Sequence, residues 1–236
     1  MWKKGIAVAL VAGCAAVFAS IAMGANIICL AGSQSCDGTN VDDTITGSNV
    51  VDNINALGGN DDVLPNAGND VTDLGPGNDT IDGDDSGADR VTAGSGNDFV
   101  DQTVDLSAAN TVNGGTGRDC MGGGAGPDTL RGGAGNDNTA LEQCGNGISI
   151  FGFDGDDRLV GGKGSDGILG GQGSDLLAGG KGSDYLDAKT DDGDGNDTLR
   201  CGKGKDTFSA SANDIVAKNC EKRVPPPFEM MPRARW

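Results

Sequence analysis

The chain has 236 residues, of which 43 are Gly, 32 Asp and only 3 Glu, with no His and a formal net charge of −18 at pH 7. So much Gly beside so few aromatic residues excludes one conventional hydrophobic core and leaves either disorder or an internal repeat. The acidic balance disfavours nucleic acid and anionic membrane as partners and favours cations, while the lack of His removes the usual general base of Ser or Cys catalysis. Asp in place of Glu, set beside Gly, suits tight turns and ligation of a hard cation, calcium first.

In chain order, Lys3 and Lys4 precede an apolar run from Gly5 to Ala25 that ends in small residues. This pattern predicts a secretory signal peptide over 1–25, with no integral membrane domain after cleavage. Val11-Ala12-Gly13-Cys14 also resembles a lipid-attachment motif at Cys14, but the apolar run continues past it. Losing Lys3 and Lys4 with the leader takes the charge from −18 to −20. Six cysteines then remain, an even number on an exported chain. Nearest-neighbour pairing suggests Cys29 with Cys36, Cys120 with Cys144 and Cys201 with Cys220, although spacing alone leaves the other pairings open.

Written in nines from Gly38, the chain repeats to Ser209: sixteen units with interruptions at 83, 102–113, 141–151 and 188–191. With Asp aligned at position 6, Gly fills position 4 in 14 of 16 units and an apolar residue fills position 8 in 14 of 16, so the period does not come from the alignment alone. Position 4 fails at Val41 and Val50, and position 8 at Thr72 and Thr139, where ion occupancy is expected to be partial. Positive φ at Gly 1, 2 and 4 lets six residues turn back sharply, and the remaining three form a short strand with the position-8 side chain pointing inward. Two units make one eighteen-residue coil, and stacked coils make two parallel sheets around a thin apolar layer, a rod of about 40 Å at roughly 4.8 Å per coil. Stacking also brings carboxylates eighteen residues apart onto one edge, Asp157 over Asp175 and Asp166 over Asp184, where a cation would remove their repulsion.

The units from Gly161 to Asp187, GGKGSDGIL, GGQGSDLLA and GGKGSDYLD, resemble the RTX or haemolysin-type calcium-binding nonapeptide repeat, GGxGxDxUx with U apolar. The resemblance implies an all-β protein, a parallel β-roll or right-handed β-solenoid, that folds on binding several Ca2+ ions. It implies that position-6 carboxylates and position-2 and position-4 carbonyls of adjacent turns are the ligands. In this sequence those are Asp43, Asp52, Asp61, Asp70, Asp79, Asp89, Asp98, Asp119, Asp128, Asp137, Asp157, Asp166, Asp175, Asp184, Asp197 and Asp206. They are joined in the most faithful stretch by Gly162, Gly164, Gly171, Gly173, Gly180 and Gly182. Gly162, Gly164 and Asp166 would thus share an ion with Gly180, Gly182 and Asp184.

Residues 105–113 read as a decayed unit with Asn110 in the Asp place and Val112 inward, and 141–151 as a second decayed coil. The expected organisation is a leader (1–25), an N-terminal cap (26–37), the repeat roll (38–209), a C-terminal cap (210–223) and a tail (224–236). Asp192 to Asn196 mimics the start of an EF-hand loop, but Asp197 stands where Gly is required. The expected function is that of a secreted, non-enzymatic calcium-binding protein with a structural or adhesive role outside the cell. The alternative is an accessory module that binds an extracellular polysaccharide or protein for an enzyme or toxin acting in trans.

Overall fold

The computed structural model describes residues 8–9, 24–31, 35–82, 86–102, 108–137, 150–189 and 195–224. Most of the expected leader, Cys14, Cys144 and the tail beyond Val224 lie outside the described residues. Within them the chain is a parallel β-roll. One sheet has twelve strands, running from Val8–Ala9 through Asn26–Ile28 to Lys222–Arg223, and the other has ten, from Cys36–Thr39 to Ile215–Val216. From Asn26–Ile28 onward consecutive strands fall in opposite sheets, and every pair is parallel, as two strands per coil require. Register follows the repeat: Leu159 pairs with Leu177 and Leu177 with Leu199 in one sheet, Ile168 with Leu186 and Leu186 with Phe208 in the other.

Position 8 fills the core because strand side chains alternate and the two sheets face each other across one layer. Ile45, Val63, Ile81, Leu130, Leu159, Ile168, Leu177, Leu186 and Leu199 have no solvent-exposed surface. The alternation puts position 1 inside as well, at Ala56, Leu74, Ala93 and Cys201. Leu74 fills space beside Thr72, so the polar residue at that position 8 stays buried without leaving the core thin.

Three expectations change. First, three strands of the second half, Arg158–Lys163, Gly167–Gln172 and Leu176–Lys181, are six residues long, because positions 1 to 3 of the following unit continue the ladder. Second, Gly at position 1 does not supply left-handed backbone. Positive φ belongs to positions 2 and 4, as at Gly162 and Gly164, Gly171 and Gly173, and Gly180 and Gly182, whereas Gly161, Gly170 and Gly179 lack it. Third, the interruption at 141–151 adds no coil among the described residues, since the strands before and after it pair directly. Residues 138–149 lie outside the described residues, and after them Ile150 pairs with Met121 and Ile168 and is fully buried. Ile150 thereby takes the core place assigned by period to Thr139, and the interruption lies inside a unit, between its turn and its strand.

The interruption at 102–113 does contain a coil half, with Val112 buried and paired to Val91 and Leu130. Strands are also more numerous than sixteen units require, since segments before Gly38 and after Ala210 add to both sheets. Disulfides Cys29–Cys36 and Cys201–Cys220 tie down the two ends. Cys120 is also disulfide-bonded, to a partner outside the described residues, so the Cys120–Cys144 expectation falls there.

Candidate metal-binding edges

Every position-6 Asp from Asp43 to Asp206 is buried, although each belongs to a turn. Stacking explains how. The backbone N–H of each Asp donates to Oδ1 of the Asp one coil later, which builds two continuous columns. One runs Asp43, Asp61, Asp79, Asp98, Asp119, Asp137, Asp166, Asp184, Asp206, with N–O distances of 2.8 to 3.1 Å. The other runs Asp52, Asp70, Asp89, Asn110, Asp128, Asp157, Asp175, Asp197, Asp214, at 2.7 to 3.2 Å. The columns absorb the interruptions, since Asp128 bonds to Asp157 and Asp137 to Asp166 across 29 residues. Asp214, outside the sixteen units, takes the last rung of the second column.

One oxygen per carboxylate is therefore satisfied, and the other turns inward. Oδ2 of Asp61, Asp70, Asp79, Asp98, Asp119, Asp137, Asp157, Asp166, Asp184 and Asp206 is buried with no hydrogen-bond partner. Where position 1 is Gly, this carboxylate lies against the place a side chain would take. A Cβ on Gly114 would lie 2.6 Å from Asp119 Oδ2 and 2.7 Å from the Gly132 carbonyl oxygen. Gly161 is closed off in the same way by Asp166 Oδ2 and the Gly179 carbonyl, and Gly179 by Asp184 Oδ2 and the Cys201 carbonyl. At Asp119, Asp137, Asp157, Asp166 and Asp184 the inward carboxylate oxygen thus shares a small space with a carbonyl oxygen of the next coil, two acceptors without a donor.

The expected six-residue set is brought together. Gly162 pairs with Gly180, a Cβ on Gly180 or Gly182 would collide with the carbonyl of Gly162 or Gly164, and Asp166 N–H donates to Asp184 Oδ1 at 3.0 Å. On the other edge Gly171 and Gly173 stack beneath Phe153 and Gly155 in the same manner, with Asp157 bonded to Asp175. Among the described residues no three His, Cys, Asp or Glu side chains converge, so carbonyl oxygens must make up most of any metal shell here.

Burial costs an unbridged carboxylate its hydration, and its neighbours carry like charge. Burial accordingly pushes Asp79, Asp119, Asp157 and Asp166 up to about 7, with the charges of Asp137 and Asp184 adding to the effect at Asp166. Asp61, Asp70, Asp98, Asp137 and Asp184 rise to about 6 for the same first cause. Backbone N–H donation opposes the rise at each of them without cancelling it. Orphaned buried oxygens, facing carbonyls and raised carboxylates together fit a divalent cation held by oxygen alone.

The N-terminal rungs differ. Asp43 Oδ1 accepts from Ala25 N–H, and its Oδ2 accepts from both Thr39 N–H and Thr39 Oγ1 at 2.6 and 2.8 Å. Asp52 Oδ2 accepts from Ser48 N–H at 2.5 Å. These units carry Val41 and Val50 in place of the turn Gly, and Thr39 and Ser48 occupy position 2.

A second ladder went unread in the sequence. Position-5 side chains accept from the position-5 N–H of the following coil, running in the opposite sense to the Asp columns. Asn60 serves Asn78 at 2.8 Å, Asn78 serves Asn97 at 2.7 Å, Asn97 serves Arg118 at 3.0 Å and Asn136 serves Ser165 at 3.0 Å. The recurrence of Asn, Ser and Asp there was the available signal. Asn78→Ala removes one such acceptor and is expected to cost about 1 kcal/mol in urea unfolding of the calcium-saturated protein; an unchanged midpoint would reduce the ladder to coincidence.

The fold and its edges define a parallel β-solenoid with carboxylate-lined turns. The family model for the RTX calcium-binding nonapeptide repeat matches residues 37–72, 73–100, 114–138, 151–186 and 191–214, more than half of the chain. The chain belongs to that family, whose repeats bind calcium. No curated protein matches it.

Proposed function

We propose that this is a non-enzymatic protein that acts outside the cell, whose roll folds as calcium fills the two carboxylate columns, and whose role is structural or adhesive. The observation that carries the reading is the run of buried, partnerless Asp Oδ2 atoms facing carbonyl oxygens. Asp61 to Asp206 would hold the ions, with position-2 and position-4 carbonyls such as those of Gly162, Gly164, Gly180 and Gly182. Asp43 and Asp52 spend their second oxygens on their own turns and contribute least. Bound calcium would supply the positive charge that lets adjacent carboxylates share one edge. The two terminal disulfides and the predicted signal peptide support an oxidising, exported destination.

Far-UV circular dichroism during a calcium titration tests this, with magnesium as control. Conversion from coil to β-structure at millimolar calcium, and not with magnesium, is expected. Full β-structure in chelator at pH 7.5 would overturn the coupling.

The accessory-module reading gains support from Lys163, Lys181 and Lys203, which stack in register and exposed on one edge. Three like charges at strand spacing favour an acidic partner. Pull-down with and without calcium separates that reading from an inert rod.

A further inference from the structure

We propose that Asn110 is a metal-free rung, which divides the second carboxylate column into two separately filling blocks. The inference rests on the calcium reading above and concerns a place where the column departs from Asp. Asn110 is as buried as its neighbours, and its backbone plays the same part in the ladder. Its Oδ1 accepts from Asp89 N–H at 2.9 Å, and its own N–H donates to Asp128 Oδ1 at 2.7 Å. The second side-chain atom sets it apart. Nδ2 donates to the Gly123 carbonyl oxygen at 3.0 Å, a buried bond.

Gly123 is position 1 of the unit one coil later on the same edge, the same relation that Gly132 bears to Asp119 and Gly179 to Asp166. At those aspartate rungs the corresponding atoms are both acceptors, and no hydrogen bond joins them. Two such oxygens leave a place that a cation or a proton would satisfy. At Asn110 the amide carries its own hydrogen into that place, and it stays neutral at every pH. The rung is complete without an ion, and an amide N–H aimed at the carbonyl occupies the direction from which a cation would approach.

On this edge, Asp70 and Asp89 lie before the gap and Asp128, Asp157, Asp175 and Asp197 after it, while the opposite column is unbroken from Asp61 to Asp206. The coil around Asn110 is held without metal on one edge, so it links the two calcium-dependent halves of the roll. The gap lies within the interruption at 102–113, where successive rungs are 21 residues apart instead of 18.

The test is Asn110→Asp in the full chain, with bound calcium counted by equilibrium dialysis and hydrogen exchange followed at the Asp89 amide at pH 7.5 in limiting and in saturating calcium. The variant is expected to bind at least one more ion per chain, to exchange Asp89 N–H at least tenfold faster at limiting calcium, and to regain protection at saturating calcium. Equal ion counts in the two calcium-loaded proteins would overturn the inference and leave the calcium reading standing. So would a variant that calcium does not restore. Absence of bound calcium in both proteins would overturn the calcium reading and this inference together.

Discussion

Gly164→Ala is expected to remove about 4 kcal/mol or more of stability from the calcium-loaded protein, enough to abolish the β-structure of the C-terminal coils. Two costs act at once. The residue sits at φ +128°, where an L side chain is strained, and its Cβ would fall on the carbonyl oxygen of Gly135 one coil earlier. That oxygen belongs to backbone and cannot rotate away, so the coils would have to separate. Lys163→Ala, one residue earlier and exposed, is the control and should stay within about 0.5 kcal/mol. Gly161→Ala differs in kind, because its backbone is ordinary and its Cβ would meet Asp166 Oδ2 instead. It should weaken calcium binding by displacing a carboxylate. Urea unfolding in saturating calcium reads the stability differences, and a Gly164→Ala midpoint equal to that of the parent would refute the close stacking of turns.

Acid is expected to have opposite effects on the metal-free and calcium-loaded protein. Nine buried carboxylates have folded values raised from 3.8 to about 6 or 7. A carboxyl raised on folding binds its proton more tightly in the folded chain. Its contribution is complete below about pH 4 and is lost as pH rises through 6 to 7. In chelator, β-structure should therefore grow as pH falls from 7.5 towards 4.5, each protonated Oδ2 becoming the donor that its facing carbonyl lacks. With millimolar calcium the fold should be complete at pH 7.5, and acid should release the ions, since metal and proton compete for the same oxygens. At pH 4.5 calcium should make little difference. Circular dichroism at fixed calcium and in chelator across this range checks the crossing, and parallel curves would show that the buried carboxylates do not control folding.

The parts legible in the sequence were those fixed by period alone. Leu159, Leu177 and Leu199 recur at position 8 and must share a face, and Asp157 and Asp175 recur eighteen apart and must share an edge. What stayed hidden depends on where an atom goes once coils stack. Nothing in GGKGSD distinguishes a Gly needed for positive φ from one needed to clear a carboxylate, and only the position of Asp166 Oδ2 beside Gly161 separates them. The same holds for Asn78 and its counterparts, which in one unit look like ordinary turn residues and acquire an acceptor role from the next coil. Thr139 misled because counting in nines assumes an unbroken chain path. The roll requires only that some apolar residue follow Asp137 into the sheet, and Ile150 is the one that does so.

The placement of the two disulfides decides how such a rod can come apart. In a linear array each coil touches only the coils before and after it, so an unprotected array melts from its ends, where one neighbour is missing. Here Cys29–Cys36 ties the first coil and Cys201–Cys220 the last. With both ends fastened, loss of ions favours an internal bubble, bounded on each side by closed coils that serve as templates for its repair. Opening of that kind exposes sheet edges only transiently and in facing pairs, which directs an acidic chain back to its own register before it can zip onto a neighbour.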